Sequence, residues 1–200
     1  MATDIPALDR RDVVRGLLED RGNLLVVAGL GASAWDITAA GDCATNFPLW
    51  GGMGGAAMIG LGLALAQPDR RVLVITGDGE MLMGLGALCT IAVQSPPNLA
   101  VVVLDNEHYS ETGGQETATR HGVDLVAIAR GAGIGDCRAV HGAQEIGPLR
   151  NAIHATTAPL FAVVKIATGN HPLVLPPREG AFLTARFREA VLGPAAHHQL

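Results

Sequence analysis

The sequence predicts an α/β fold, a parallel sheet covered by helices on both faces in three αβα layers. Three observations predict it. Short unbroken apolar runs at residues 24–27, 72–76 and 99–104 have the composition of strands buried on both faces. Helical stretches separate these runs, as the crossovers of a parallel sheet require. The runs also end in turns rich in Gly, Asp or Asn, and an open α/β sheet binds its ligands beyond the carboxyl ends of its strands.

Taken in order, residues 9–20 read as an amphipathic helix with Val13, Val14, Leu17 and Leu18 on one face. The first strand, 24–27, ends in Gly29-Leu30-Gly31-Ala32-Ser33, with Ser33 placed to cap the next helix. Residues 47–50 form a brief extended segment running into Gly51-Gly52-Met53-Gly54-Gly55. A helix of small residues then reaches about Gln67. The second strand, 72–76, leads directly into Gly77-Asp78-Gly79 and helical sequence to about Gln94, stopped by Pro96 and Pro97. The third strand, 99–104, ends in Asp105-Asn106. Residues 107–120 are polar, contain Gly, and read as a loop that is mobile without ligand. Helix at 121–130, a short strand at 138–141, helix at 143–155, a strand at 160–166 and a terminal helix over about 180–192 complete the pattern. No repeat or low-complexity linker interrupts it, so residues 1–200 read as one domain, flavodoxin-like in architecture.

The composition narrows the function. Hydrophobic residues make up 48% and charged residues 16% of the 200, a balance that suits a packed domain and argues against disorder. A net charge of -5 without any Lys/Arg run argues against nucleic-acid or membrane-surface partners. Residues 43–68 carry no charge, but Asn46, Pro48 and the Gly cluster make a membrane span a poor reading. The N-terminus is charged and amphipathic, unlike a signal peptide, and the chain reads as cytoplasmic. Cys43, Cys89 and Cys137 are odd in number and contain no CxxC pair, which leaves no sequence-evident zinc or iron–sulfur site. They read as buried fillers. Lys165 is the sole lysine, so an anionic ligand must rely on arginines, backbone amides, helix N-termini or a metal ion.

The chemistry is carried by Gly77-Asp78-Gly79 and, 25 residues on, Asp105-Asn106. A carboxylate and an amide oxygen at the ends of two adjacent strands can share one cation. Hard oxygen donors of this kind suit Mg²⁺, which commonly keeps phosphate oxygens in its shell. Gly79 and Glu80 then open a helix whose free amides favour a phosphate. Asp-Gly is a common turn after any strand, so the triplet alone is weak evidence. Its weight comes from the spaced Asn106 and the two other Gly-rich strand ends.

The pattern resembles the motif of thiamine-diphosphate-dependent enzymes, in which the first residue of the Asn-ending pair is usually Asn and here is Asp105. Gly51-Gly52-Met53-Gly54, the run at residues 60–67, Leu104-Asp105-Asn106 and Thr112-Gly113-Gly114-Gln115 resemble sulfopyruvate and phosphonopyruvate decarboxylases. The likeness extends to the tail with Arg186-Phe187, and is greatest to the separate small (beta) subunit of the sulfopyruvate enzymes. It implies a lyase subunit that binds thiamine diphosphate and Mg²⁺. Asp78, the Asn106 side chain and the His108 backbone carbonyl are the implied metal ligands. Gly77, Gly79, Glu80, Gly31, Ser33 and Tyr109 are implied around the diphosphate. Gly51, Gly52 and Met53 are implied at the aminopyrimidine, with Met53 wedged beneath the cofactor.

The family also needs a glutamate against the pyrimidine N1′, supplied by a pyrimidine-binding domain for which 200 residues leave no room. The resemblance therefore implies a separate alpha subunit, a hetero-oligomer and a small 2-oxo acid substrate. Carboligation or acyl transfer, a 2-oxoacid oxidoreductase subunit, and a catalytically silent partner-binding domain are the alternatives. Met81 and Met83 read as core fillers, the Glu80 side chain as a first-turn helix charge and His121 as a surface residue at a helix start. His108, His121 and Tyr109 are further acid–base or contact candidates.

Overall fold

The computed structural model describes residues 8–198. Its first helix, α1 (Arg10–Leu18), is capped by Asp9, whose carboxylate accepts from the Arg11 and Asp12 amides. Strand β1 (Leu25–Ala28) follows, then α2 (Ala32–Ala39), β2 (Asn46–Pro48) and α3 (Ala56–Ala66). Next come β3 (Val72–Gly77), α4 (Asp78–Met83), α5 (Gly86–Gln94) and β4 (Leu99–Asp105). A small hairpin of β5 (His108–Tyr109) and β6 (Gln115–Glu116) precedes α6 (Leu125–Gly131), β7 (Asp136–Val140), α7 (Ile146–Ala155), β8 (Leu160–Lys165) and α8 (Gly180–Leu192).

Six strands form one sheet in the order β2-β1-β3-β4-β8-β7, every pair parallel. The first four follow the flavodoxin order. At the far edge the last strand inserts between β4 and β7. Alternation along the strands builds two cores. Leu73 and Ile75 of β3 and Ala100, Val102 and Leu104 of β4 pack with α1, α2 and α7. Val72, Val74, Leu99, Val101 and Val103 point the other way, against α3, α5 and α6. Because both faces are covered, the central strands are apolar at every position rather than at every second one.

After β8 the chain laps back over the strand ends. The Trp50 indole donates to the Pro177 carbonyl at 2.8 Å. Arg186 of α8 pairs with Asp42, and Phe187 meets Phe47 with ring centroids 5.1 Å apart. The tail is thereby fastened beside the Gly51–Met53 segment.

Several sequence expectations need correction. Ser33 is not the cap of α2. Gly31 is, without a side-chain bond, and Ser33 lies buried within the first turn. The stretch 107–120 is not a plain loop but the β5–β6 hairpin with 3-10 turns at Ser110–Thr112 and Ala118–His121. His121 is exposed as expected and pairs with Glu116, but it closes that turn; α6 starts at Leu125, capped by Asp124. Met81 fills the core, whereas Met83 is 66% exposed because the helix breaks at Gly84. Nor are the cysteines buried fillers. Cys89 is exposed on the outer face of α5, opposite Leu88 and Ile91, and Cys43 and Cys137 are half-buried.

Candidate functional site: a cavity at the carboxyl ends of β1, β3 and β4

A cavity of about 430 Å³ opens where these strands end. Ser33, Met53, Gly77, Asp78, Gly79, Glu80, Asn106, His108 and Tyr109 all line it. Gly31 sits at its rim as the cap of α2, while Gly51 and Gly52 lie in the exposed segment leading to Met53. His121 lies outside the lining.

Asp78 reaches the cavity because β3 runs straight into α4, with Gly77 as the capping position. It is 2% exposed, and its Oδ2 accepts from the Thr117 hydroxyl at 2.6 Å. Burial pushes its carboxyl up to about 6, with the nearby Asp105 charge adding to the rise, while Thr117 and the first α4 amides oppose it. A buried carboxyl held this high is poised to exchange its proton for a cation, the proton leaving to solvent. Asn106 Oδ1 accepts from the His108 amide at 3.0 Å, leaving a second lone pair, and its Nδ2 donates to Ser110. The His108 ring folds back onto the Asn106 carbonyl at 2.8 Å, so its side chain is engaged with its own loop.

The first position of the Asn-ending pair is managed by residues that sequence reasoning missed. Asp105 is buried, accepts from the Thr119 hydroxyl at 2.8 Å, and pairs with Lys165 at 2.9 Å. Lys165 also binds Glu107, whose φ of 64° and pairing with Arg120 complete a chain of charges beside the site. That chain, with Lys165 foremost, holds the Glu107 carboxyl below its ordinary range. The one signal that pointed to Lys165 was its place at the end of the strand adjoining β4. Thr117 and Thr119 carried no local signal.

Glu80 corrects another expectation. Its side chain is not a free first-turn charge. It is 5% exposed, receives the Thr76 hydroxyl at 2.8 Å and the Ala56 amide at 3.3 Å, and its carboxyl is raised by burial. A Cβ at Gly29 would lie 1.7 Å from Glu80 Oε2, so only glycine admits this clamp between β1, β3 and α3.

The hairpin covers both glycine turns. The Tyr109 ring lies 2.4 Å from where a Gly79 Cβ would be, and the Glu111 carboxylate lies 2.8 Å from where a Gly31 Cβ would be. Arg10, Trp35, Asn170 and His171 extend the cavity toward α1 and the tail. None of these was picked out beforehand, because packing rather than sequence proximity brings them there. Among the described residues no group of three or more His, Cys, Asp and Glu side chains is disposed to hold a metal ion. A cation at this cavity would therefore draw on Asp78, amide and carbonyl oxygens, and ligand phosphate, a donor set that fits Mg²⁺.

Comparison with known proteins shows the family. The beta subunit of sulfopyruvate decarboxylase from Methanothermobacter thermautotrophicus is 37% identical over 193 residues, 96% of this chain and 97% of that one. Phosphonopyruvate decarboxylase from Streptomyces viridochromogenes is also 37% identical, over 97% of this chain but 47% of its own length. Among solved structures, benzoylformate decarboxylase from Polynucleobacter necessarius shares the fold with a TM-score of 0.68, at 21% identity over 86% of this chain and 35% of that one. Residues 28–166 match the family model of the C-terminal TPP-binding domain of thiamine pyrophosphate enzymes, and the chain belongs to that family.

Proposed function

We propose that the chain is the diphosphate-binding subunit of a thiamine-diphosphate- and Mg²⁺-dependent 2-oxo acid decarboxylase that works with a second chain. The observation that carries the reading is the gathering of Asp78, Asn106 and His108 in one cavity with Gly79, Ser33 and Met53. The named decarboxylases among the relatives give the reaction type.

In this reading Asp78, the Asn106 amide oxygen and the His108 carbonyl hold Mg²⁺. The Gly79 and Glu80 amides, the Gly31 turn and the Ser33 hydroxyl face the diphosphate, with Tyr109 beside it. Met53 supports the ring system, presented by the Gly51-Gly52 segment that the tail clasps through Trp50. Bound thiamine diphosphate supplies the electron sink for loss of CO₂ from a 2-oxo acid. The protein's part is to orient the cofactor and to hold Asp78 in place, where a bound cation would keep it deprotonated.

A partner chain would bring the glutamate for the pyrimidine. What supports a partner is α3, which has no charged residue and leaves Met58, Ile59 and Leu65 39–50% exposed. Apolar patches of this kind mark interaction surfaces. No helix among the described residues is long and apolar enough to cross a membrane.

The test is native mass spectrometry of the tagged chain from its own host, with Mg²⁺ present, followed by 2-oxo acid decarboxylation by the isolated complex. A second, different subunit with retained thiamine diphosphate, both cofactor and CO₂ release being lost in Asp78→Ala, is the expected result. Self-association alone, with no cofactor bound at excess, overturns the reading.

A further inference from the structure

A diphosphate needs positive charge, and little of this chain's lines the cavity. Lys165 is committed to Asp105 and Glu107. Among the described residues Arg10 is the one Lys or Arg side chain lining the cavity, whose other lining charges include Asp78, Glu80 and Glu111. Arg10 stands on α1, 7% exposed, and reaches across to α2. Its Nη1 donates to the Ala32 carbonyl at 3.3 Å and to Asp36 Oδ2 at 2.5 Å. Ala32 lies between Gly31 and Ser33, so the guanidinium rests on the turn that the proposed function gives to the diphosphate.

The charge there is not cancelled. Asp36, 1% exposed, is a single carboxylate shared by two guanidiniums, since Arg11 Nε also reaches its Oδ1 at 3.1 Å. Arg11 gives its Nη2 to the Pro172 carbonyl and is not among the residues that line the cavity. The nearby His171 faces Asp9. Arg10, by contrast, keeps Nε and Nη2 without a protein acceptor among the described residues. A buried guanidinium with two donors to spare, fixed at Nη1 by Asp36 and opening on a cavity, is built to accept a phosphate oxygen.

We propose that Arg10 is a ligand-binding residue of this site, contacting the terminal phosphate of a diphosphate ester. The proposal rests on the reading of the cavity as a thiamine diphosphate site. Asp36 then acts as a positioning residue, holding the guanidinium at Nη1 and leaving the other edge free.

The test compares binding of thiamine diphosphate and thiamine monophosphate to the full chain by titration calorimetry at saturating Mg²⁺. The wild-type chain should prefer the diphosphate. Arg10→Gln should reduce that preference about tenfold or more, as expected for losing a hydrogen bond to a charged group. Arg10→Lys, which keeps a cation against Asp36, should retain part of it. Arg11→Gln removes the other guanidinium from Asp36 and should leave the preference intact. Equal weakening of both ligands in Arg10→Gln, or an Arg11→Gln chain that loses the preference as much, overturns the assignment to Arg10. A wild-type chain with no preference for the diphosphate overturns the site reading beneath it.

Discussion

At the scale of single residues, Asp78 shows how a ligand is prepared before its cation arrives. Its carboxyl, raised from an ordinary 3.8 to about 6, binds a proton more tightly in the folded chain than in the unfolded one. That contribution to stability is fully present below about pH 4 and is lost as the pH rises through 6. At neutral pH the metal-free chain therefore carries a buried charge at a cost of about 1–3 kcal/mol. Asp78→Asn, of the same shape, should make the chain more stable by that order in EDTA at pH 7.5. It should give no gain at pH 4, as urea unfolding at the two values will show. An Asn variant less stable than wild type at pH 7.5 would mean that Asp78 is already satisfied without a cation. Asp105 is the contrasting case, a second buried carboxylate in the same network, matched by Lys165 at 2.9 Å.

At the scale of elements, the β5–β6 hairpin is the part on which access turns. Tyr109 packs on Gly79 and Glu111 packs on Gly31, so a diphosphate reaching both turns must displace a ring and a carboxylate. Glu111 is exposed and has no hydrogen-bond or ion-pair partner among the described residues, so removing its charge costs the fold little. Glu111→Gln should tighten binding of inorganic diphosphate with Mg²⁺ by about threefold to tenfold, since one competing anion is gone. Unchanged or weaker binding would place Glu111 outside the anion's path. Cofactor binding should also change the rate at which protease cuts within 107–120; equal rates with and without thiamine diphosphate and Mg²⁺ would show that the hairpin does not move.

For the whole molecule, α3 leaves Met58, Ile59 and Leu65 exposed, and the exposed Trp50 that precedes it is held by the tail through Pro177. Leu65, 50% exposed, sits on that helix with little to hold it. Leu65→Glu should leave the melting temperature within about 2 °C of wild type, because surface substitutions cost little. It should nevertheless lower the fraction of chain recovered in complex, measured by native mass spectrometry. A complex recovered at wild-type yield would move the partner surface elsewhere.

The sequence by itself determined the α/β class and every buried strand of the sheet's centre, because doubly covered strands are apolar at each position and need no partner to be recognised. It also determined Asp78, Asn106 and the glycine turns as candidate site residues, because their meaning is local: strand ends, spacing and helix starts. The tertiary structure alone decided what depends on distant groups meeting. Glu80 became a clamp only when Thr76, Ala56 and Gly29 closed around it. The polar stretch after Asn106 became a hairpin through pairing of His108 with Glu116, which no helical or strand periodicity announces in two-residue strands. Arg10 reaches the cavity through the packing of α1 on α2, and Lys165 meets Asp105 because β8 inserts beside β4. The physical reason is that a strand pairing and the free energy of a buried charge are both set by partners distant in sequence, and those partners are assembled only by the fold.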